Sequence, residues 1–109
     1  MLRLIAVFVG IACLAGCGSA PVQEMSDARQ AIAAARVAGA SEGTSPDLYA
    51  ATAAIARAEK HLDAQEYTRA RLAAMEAKHH AGAALTNAQH AEAQHTDAQH
   101  TEAPATQPH

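Results

Sequence analysis

Apolar and polar residues recur along this chain with the period of an α-helix, in three successive runs. In the first, Met25, Ala28, Ile32, Ala35 and Gly39 follow one another at spacings of three and four. That places them on one face of a helix from roughly Gln23 to Ala38. Ser26 or Asp27 is the candidate N-cap and Gly39 the natural stop. A small, polar, glycine-containing loop then runs to Ser45. The second run has the clearest start. Ser45 suits an N-cap, Pro46 suits the first helical turn, and Asp47 complements the helix dipole. Leu48, Ala51, Ile55, Ala58 and Leu62 line one face of this second helix.

The third helix is expected to begin near Glu66, after a turn at Asp63–Gln65, and Asp63 and Glu66 have capping-box spacing. Tyr67, Ala70, Ala74, Ala77, Ala81, Ala84 and Ala88 make a long alanine seam. Leu72 and Met75 fall on a neighbouring face and are expected to meet the first helix. Side chains this small let helices approach at the close end of the usual range of about 8–10 Å. Short connections favour antiparallel neighbours. The pattern therefore predicts an all-α domain over residues 23–87, an antiparallel hairpin of the second and third helices with the first packed alongside.

Beyond residue 87 the pattern changes. Ala88-Gln89-His90-Ala91-Glu92, Ala93-Gln94-His95-Thr96-Asp97 and Ala98-Gln99-His100-Thr101-Glu102 are copies of a five-residue unit, and Pro104 and Pro108 follow. A period of five advances about 140° around a helix, so His90, His95 and His100 do not share a face. Two helical histidines chelate a metal best at i and i+4, and no closed tetrahedral ligand set is at hand. The repeat is expected to prolong the third helix by a turn or two and otherwise to form a disordered, low-complexity tail over 88–109. Weak metal binding by these histidines is the functional alternative. The tail also holds Glu92, Asp97, Glu102 and His109. Its side-chain charge would move from about −3 to about +1 as the imidazoles take up protons.

The N-terminus carries the most specific signal. Arg3 precedes an apolar stretch from Leu4 to Ile11, and Leu14-Ala15-Gly16-Cys17 comes shortly after. The apolar run is too short for a permanent membrane span, which needs about 20 residues, but it suits a cleaved signal. Leu14 to Cys17 resemble the lipobox of bacterial lipoproteins, with a leucine, two small residues and the modified cysteine in place. Cys13 fits less well, because Gly10 stands where the lipobox has leucine. An ordinary secretory signal, with Cys17 a plain thiol, is the alternative. The resemblance implies a signal peptide over 1–16, covalent lipid on Cys17 and a tether over 17–22. No intramolecular disulfide is then possible, since Cys13 leaves with the signal and the Cys17 thiol is consumed. Gly18 and Ser19 follow the cysteine, with no aspartate beside it. By the same resemblance this favours the periplasmic leaflet of the outer membrane over the inner membrane.

Composition narrows the functional classes. Half of the residues count as hydrophobic, but many are alanines, aromatics are 3% and tryptophan is absent. Alanine removes little apolar area from water, so a small domain built from it is marginal. The net charge is −3, and loss of Arg3 with the signal makes it more negative still. There is no basic stripe for nucleic acid. Arg57, Lys60, Arg69, Arg71 and Lys78 balance Asp47, Glu59, Asp63, Glu66 and Glu76 across the hairpin, as on a solvated surface. Glu76 and His80 have i,i+4 spacing beside His79, which supports a helix more readily than a metal site. Serines fall mainly at caps and loops, and neither a phosphate loop nor a nucleophile elbow is present. The chain is therefore not expected to be an enzyme, and no cofactor beyond the Cys17 lipid is implied.

Leu62-Asp63-Ala64-Gln65-Glu66-Tyr67-Thr68-Arg69-Ala70 resembles the inter-helix turn of a tetratricopeptide-type hairpin, with Gln65 standing where that turn has glycine. A solenoid needs at least three such repeats. The wider pattern over Ala28–Leu85 is similar to a family of small alanine-rich helical domains of unknown function in bacterial envelope proteins. These occur as lipoproteins and ahead of OmpA-like domains, and no catalytic residues come with the resemblance. The favoured reading is a lipid-anchored envelope interaction module that docks a protein or cell-wall partner, with Thr68, Arg69, Arg71 and the edge of Tyr67 as candidate contacts. The rival is a self-associating structural outer-membrane lipoprotein forming a homo-oligomeric coiled coil. The known alanine-rich examples end in a lysine joined to peptidoglycan, whereas this chain has no lysine after Lys78.

Overall fold

The computed structural model describes residues 19–102. They form three α-helices, with no strand among them: α1, Val22–Val37; α2, Pro46–Asp63; and α3, Tyr67–Glu102. Met25 packs with Ala58, Ala73 and Ala74, and Ala28 packs with Ala54 and Ala77. Ile32 and Ala35 pack with Leu48, Ala51, Ala81 and Ala84. These layers fix the directions: α1 and α3 run the same way and α2 runs against both. The antiparallel α2–α3 hairpin with the first helix alongside is therefore the observed architecture. Contact between α1 and α2 is the least extensive of the three pairings, so α3 is the shared support.

The alanine seam is the floor of the core. Ala70, Ala74, Ala77, Ala81 and Ala84 are buried, joined by Ala73. On α1 the buried residues are Met25, Ala28, Ile32 and Ala35, the face expected from their spacing. On α2, Ala54 takes a fully buried position alongside Leu48, Ala51 and Ala58. Ile55 is only half-buried but touches all three layers, and Leu62 closes the lowest one. Leu72 and Met75 depart from expectation, being 62% and 54% exposed. Each sits two positions from buried alanines on either side, about 200° round the helix from the core.

The helix ends are strongly specified. Past α1, the Gly39 N–H donates to the Arg36 carbonyl and the Ala40 N–H to the Ala35 carbonyl, both at 3.0 Å. This is a Schellman stop, with Gly39 at φ 104°. The end of α2 repeats it: Gln65 N–H to Leu62 carbonyl at 3.0 Å and Glu66 N–H to His61 carbonyl at 2.8 Å. Here the left-handed residue is Gln65, at φ 60°. The turn geometry usually given by glycine is thus kept with a side chain in place. The Ser45 Oγ accepts the Leu48 N–H at 3.2 Å, the expected N-cap.

Two caps are otherwise than expected. α1 begins at Val22, with the Pro21 carbonyl accepting the Met25 N–H at 3.0 Å, so Ser26 and Asp27 lie within the helix. Pro21, the N-cap residue, is buried. Asp63 ends α2 and forms no capping box with Glu66, whose carbonyl instead opens α3 by accepting the Ala70 N–H at 2.9 Å.

The third helix is also longer than the expected turn or two past Asn87. It carries the three pentapeptide units to Glu102, a run rich in good helix formers and free of glycine and proline. Every position from Gln89 to Gln99 is exposed. α3 runs through the repeat as far as Glu102, and residues 103–109, the rest of the tail expected to be disordered, lie outside the described residues.

Two substitutions test this account in denaturant melts. Gln65→Gly should stabilise the domain by about 1 kcal/mol, because a side chain in the left-handed region costs that order of energy. Ala77→Leu should destabilise it by about 1–3 kcal/mol or more through overpacking. Ala77 shares a fully buried layer with Ala28 and Ala54, which leaves no room for a larger side chain.

Candidate functional site

Two features of this domain bear on function: where the chain enters it, and what its outer faces offer. The entry lies at the base, beside the α2–α3 turn. Arg71, just inside α3, reaches across to α1. Its Nε donates to the Glu24 carboxylate at 3.0 Å and its Nη2 to the Ser19 carbonyl at 3.3 Å. Both charged side chains are about two-thirds buried. Arg71, a candidate contact residue from sequence, is thus engaged within the domain and holds the segment immediately after Cys17. Cys17 itself lies outside the described residues.

Arg69 is 71% exposed and donates to Glu66 at 3.0 Å, Thr68 is exposed and Tyr67 is half-buried. The candidate contacts therefore share the base, but only Arg69 and Thr68 face outward. Sequence reasoning did not single out the outer face of α3. There a shallow groove of about 770 Å³ lies between Glu24 and Asp27 of α1 and Met75, His79, Gly82 and Thr86 of α3. A second, smaller recess sits at the far end, where Val37 and Gly39 meet Ala88, Ala91 and His95. Val37 is 90% exposed there. The first uses the positions on α3 opposite its buried alanines, whereas the second continues the alanine seam itself past Ala84 through Ala88, Ala91 and His95.

Polar pairs rim the helices. Arg57 on α2 donates to Glu76 on α3 at 3.0 Å. Asp47, in the first turn of α2, pairs with His80 Nδ1 at 3.3 Å and accepts Asn87 Nδ2 at 3.2 Å. His61 Nδ1 lies 3.4 Å from Glu66 at the hairpin turn. Glu76 and His80, one turn apart on α3, thus turn chiefly to α2. His79 contacts the His80 ring edge-on, with centroids 5.7 Å apart. Exposed pairs of this kind contribute little individually.

His90 and His95 are exposed on α3, and His100 follows on the same helix. Five helical residues separate neighbours by about 7.5 Å along the axis and about 140° around it. Among the described residues, no group of three or more His, Cys, Asp or Glu side chains is placed to hold a metal ion. Nor is any described helix long and apolar enough to cross a membrane. No family model, curated protein or solved structure matches this chain.

The Glu76 carboxyl gives a pH test. The hydrogen bond from Arg57 holds the Glu76 carboxyl below its ordinary 4.5, against a small opposing effect of burial, with the charges of Arg57 and His80 adding to the lowering. A depressed carboxyl stabilises the fold above its unfolded value, and that stability is lost as pH falls through the folded one. Glu76→Gln should therefore cost about a few tenths of a kcal/mol at neutral pH, the usual scale for an exposed pair. The difference from wild type should vanish in acid. Urea melts of both chains across the acid range check this.

Proposed function

We propose that this chain is a lipid-anchored, non-catalytic interaction module, held by Cys17 at the periplasmic leaflet of the bacterial outer membrane, where it docks a protein or cell-wall partner. The observation that carries the reading is the sequence Leu14-Ala15-Gly16-Cys17, set just ahead of a folded domain that begins at Ser19–Val22. The tether between lipid and domain is thus only a few residues long. The helical surface suits docking, because α3 presents an open groove and a long exposed stretch.

A second reading, self-association as a structural lipoprotein, is favoured by the exposed Leu72 and Met75 on one side of α3. The solution mass of a Cys17→Ser chain separates the two: a monomer supports the module, a stable dimer or trimer the structural reading.

The anchored reading predicts a defined chemical outcome in cells. Wild-type protein grown with an alkyne fatty acid should take up the label, lose residues 1–16 and sediment with outer membranes. Cys17→Ala should remain unlabelled. A mature wild-type chain with an unmodified Cys17 thiol, found by intact mass, overturns the proposal. Crosslinked capture from envelopes, with Cys17→Ala as control, then reports which component is held only by the lipidated form.

A further inference from the structure

We infer that the domain stands on its membrane by the end that carries the α2–α3 turn, so that α3 rises away from the bilayer. This rests on lipidation of Cys17. Two residues span at most about 7 Å, so the acylated residue lies within that distance of Ser19. Ser19 is not free to swing, because its carbonyl accepts Arg71 Nη2 and the next residue but one, Pro21, is buried. Gly18 alone lies between the lipidated residue and this held segment.

The topology then sets which surface meets the headgroups. α1 starts at the base, α2 ends there and α3 starts there, as the packing of Met25 with Ala58, Ala73 and Ala74 requires. The membrane-facing surface is therefore the α2–α3 turn with its neighbours. It carries Lys60, Arg69 and Arg71 against Glu24, Glu59, Asp63 and Glu66, and Arg71–Glu24 and Arg69–Glu66 are already paired. Such a surface offers no net positive charge to anionic lipids, whose attraction needs clustered lysine and arginine. The lipid supplies the attachment and the short held tether supplies the orientation.

The competing arrangement lays α3 flat, with Leu72 and Met75 in the interface. A helix that lies in an interface needs a continuous apolar face and a basic polar one. On this side of α3 the same stripe continues as His79, Gly82 and Thr86, so the apolar part ends after two side chains. Upright, α3 spans about 54 Å over its 36 residues. The recess formed by Val37, Gly39, Ala88, Ala91 and His95 then faces away from the membrane, about 36 Å above the base at Ala91.

Energy transfer to acceptor-labelled headgroups tests the orientation. Acylated full-length protein, processed in cells, would carry one fluorophore at Asp63→Cys or at Gln99→Cys and be reconstituted in neutral phospholipid vesicles. The two sites stand about 50 Å apart along the hairpin. Strong transfer from position 63 and weak transfer from position 99 is the expected result. Equal transfer from both, in protein that floats with the vesicles and carries the acyl mass, overturns the upright orientation alone. Protein that neither floats nor carries the acyl mass overturns the anchored reading and this inference with it. A Cys17→Ser chain should stay unbound even with anionic vesicles, and binding there would overturn the uncharged role given to the base.

Discussion

Close packing of alanine against alanine along α3 is the constraint on which this structure depends. Ala70, Ala74, Ala77, Ala81 and Ala84 form a strip with almost no side-chain depth, and both other helices settle onto it. A strip so narrow brings α1 and α2 each to α3 while leaving less for them to share. The few large buried side chains sit at the ends of the strip: Met25 below, Ile32 and Leu48 above. The middle layer is alanine from all three helices. Little apolar area is buried per residue, so dispersion across a close fit carries much of the stability. That makes the core sensitive to added volume.

The rest of the architecture follows from how the helices stop. Both connections use the same left-handed stop, at Gly39 and at Gln65, and both reverse the chain, the second within three residues. Two reversals put the start of α1, the α2–α3 turn and the start of α3 at one end. Because α3 is about twice the length of its partners, its second half leaves the bundle at the other end. A domain that begins within two residues of Cys17 therefore has a near end and a far end relative to that residue. The proposed anchoring and the exposed pentapeptide repeats belong to opposite ends of the same rod.

Much of this was legible in the residues. The 3–4 spacing of Met25, Ala28, Ile32 and Ala35 and the seam of Ala70 to Ala84 predicted which faces would be buried, because helix geometry alone maps sequence spacing onto a face. The Ser45–Pro46 start and the Gly39 stop were equally local, being matters of backbone hydrogen bonds within a few residues. The Cys17 motif is local too, since a peptidase and an acylating enzyme would read extended chain.

What tertiary structure decided lies where distant segments compete. Leu72 and Met75 look like core by hydropathy, yet packing gave the buried arc to alanines and turned them outward, because only small side chains let both neighbours approach α3. Arg71 reads as a surface cation, but the parallel course of α1 brings Glu24 and the Ser19 carbonyl within its reach. Asp47 reads as a first-turn acid, and the hairpin adds His80 and Asn87 to it. Sequence thus determined the helices and their stops, set by neighbours along the chain. Which residues face out, and which end of the rod lies beside Cys17, depended on the direction in which the helices pair across space.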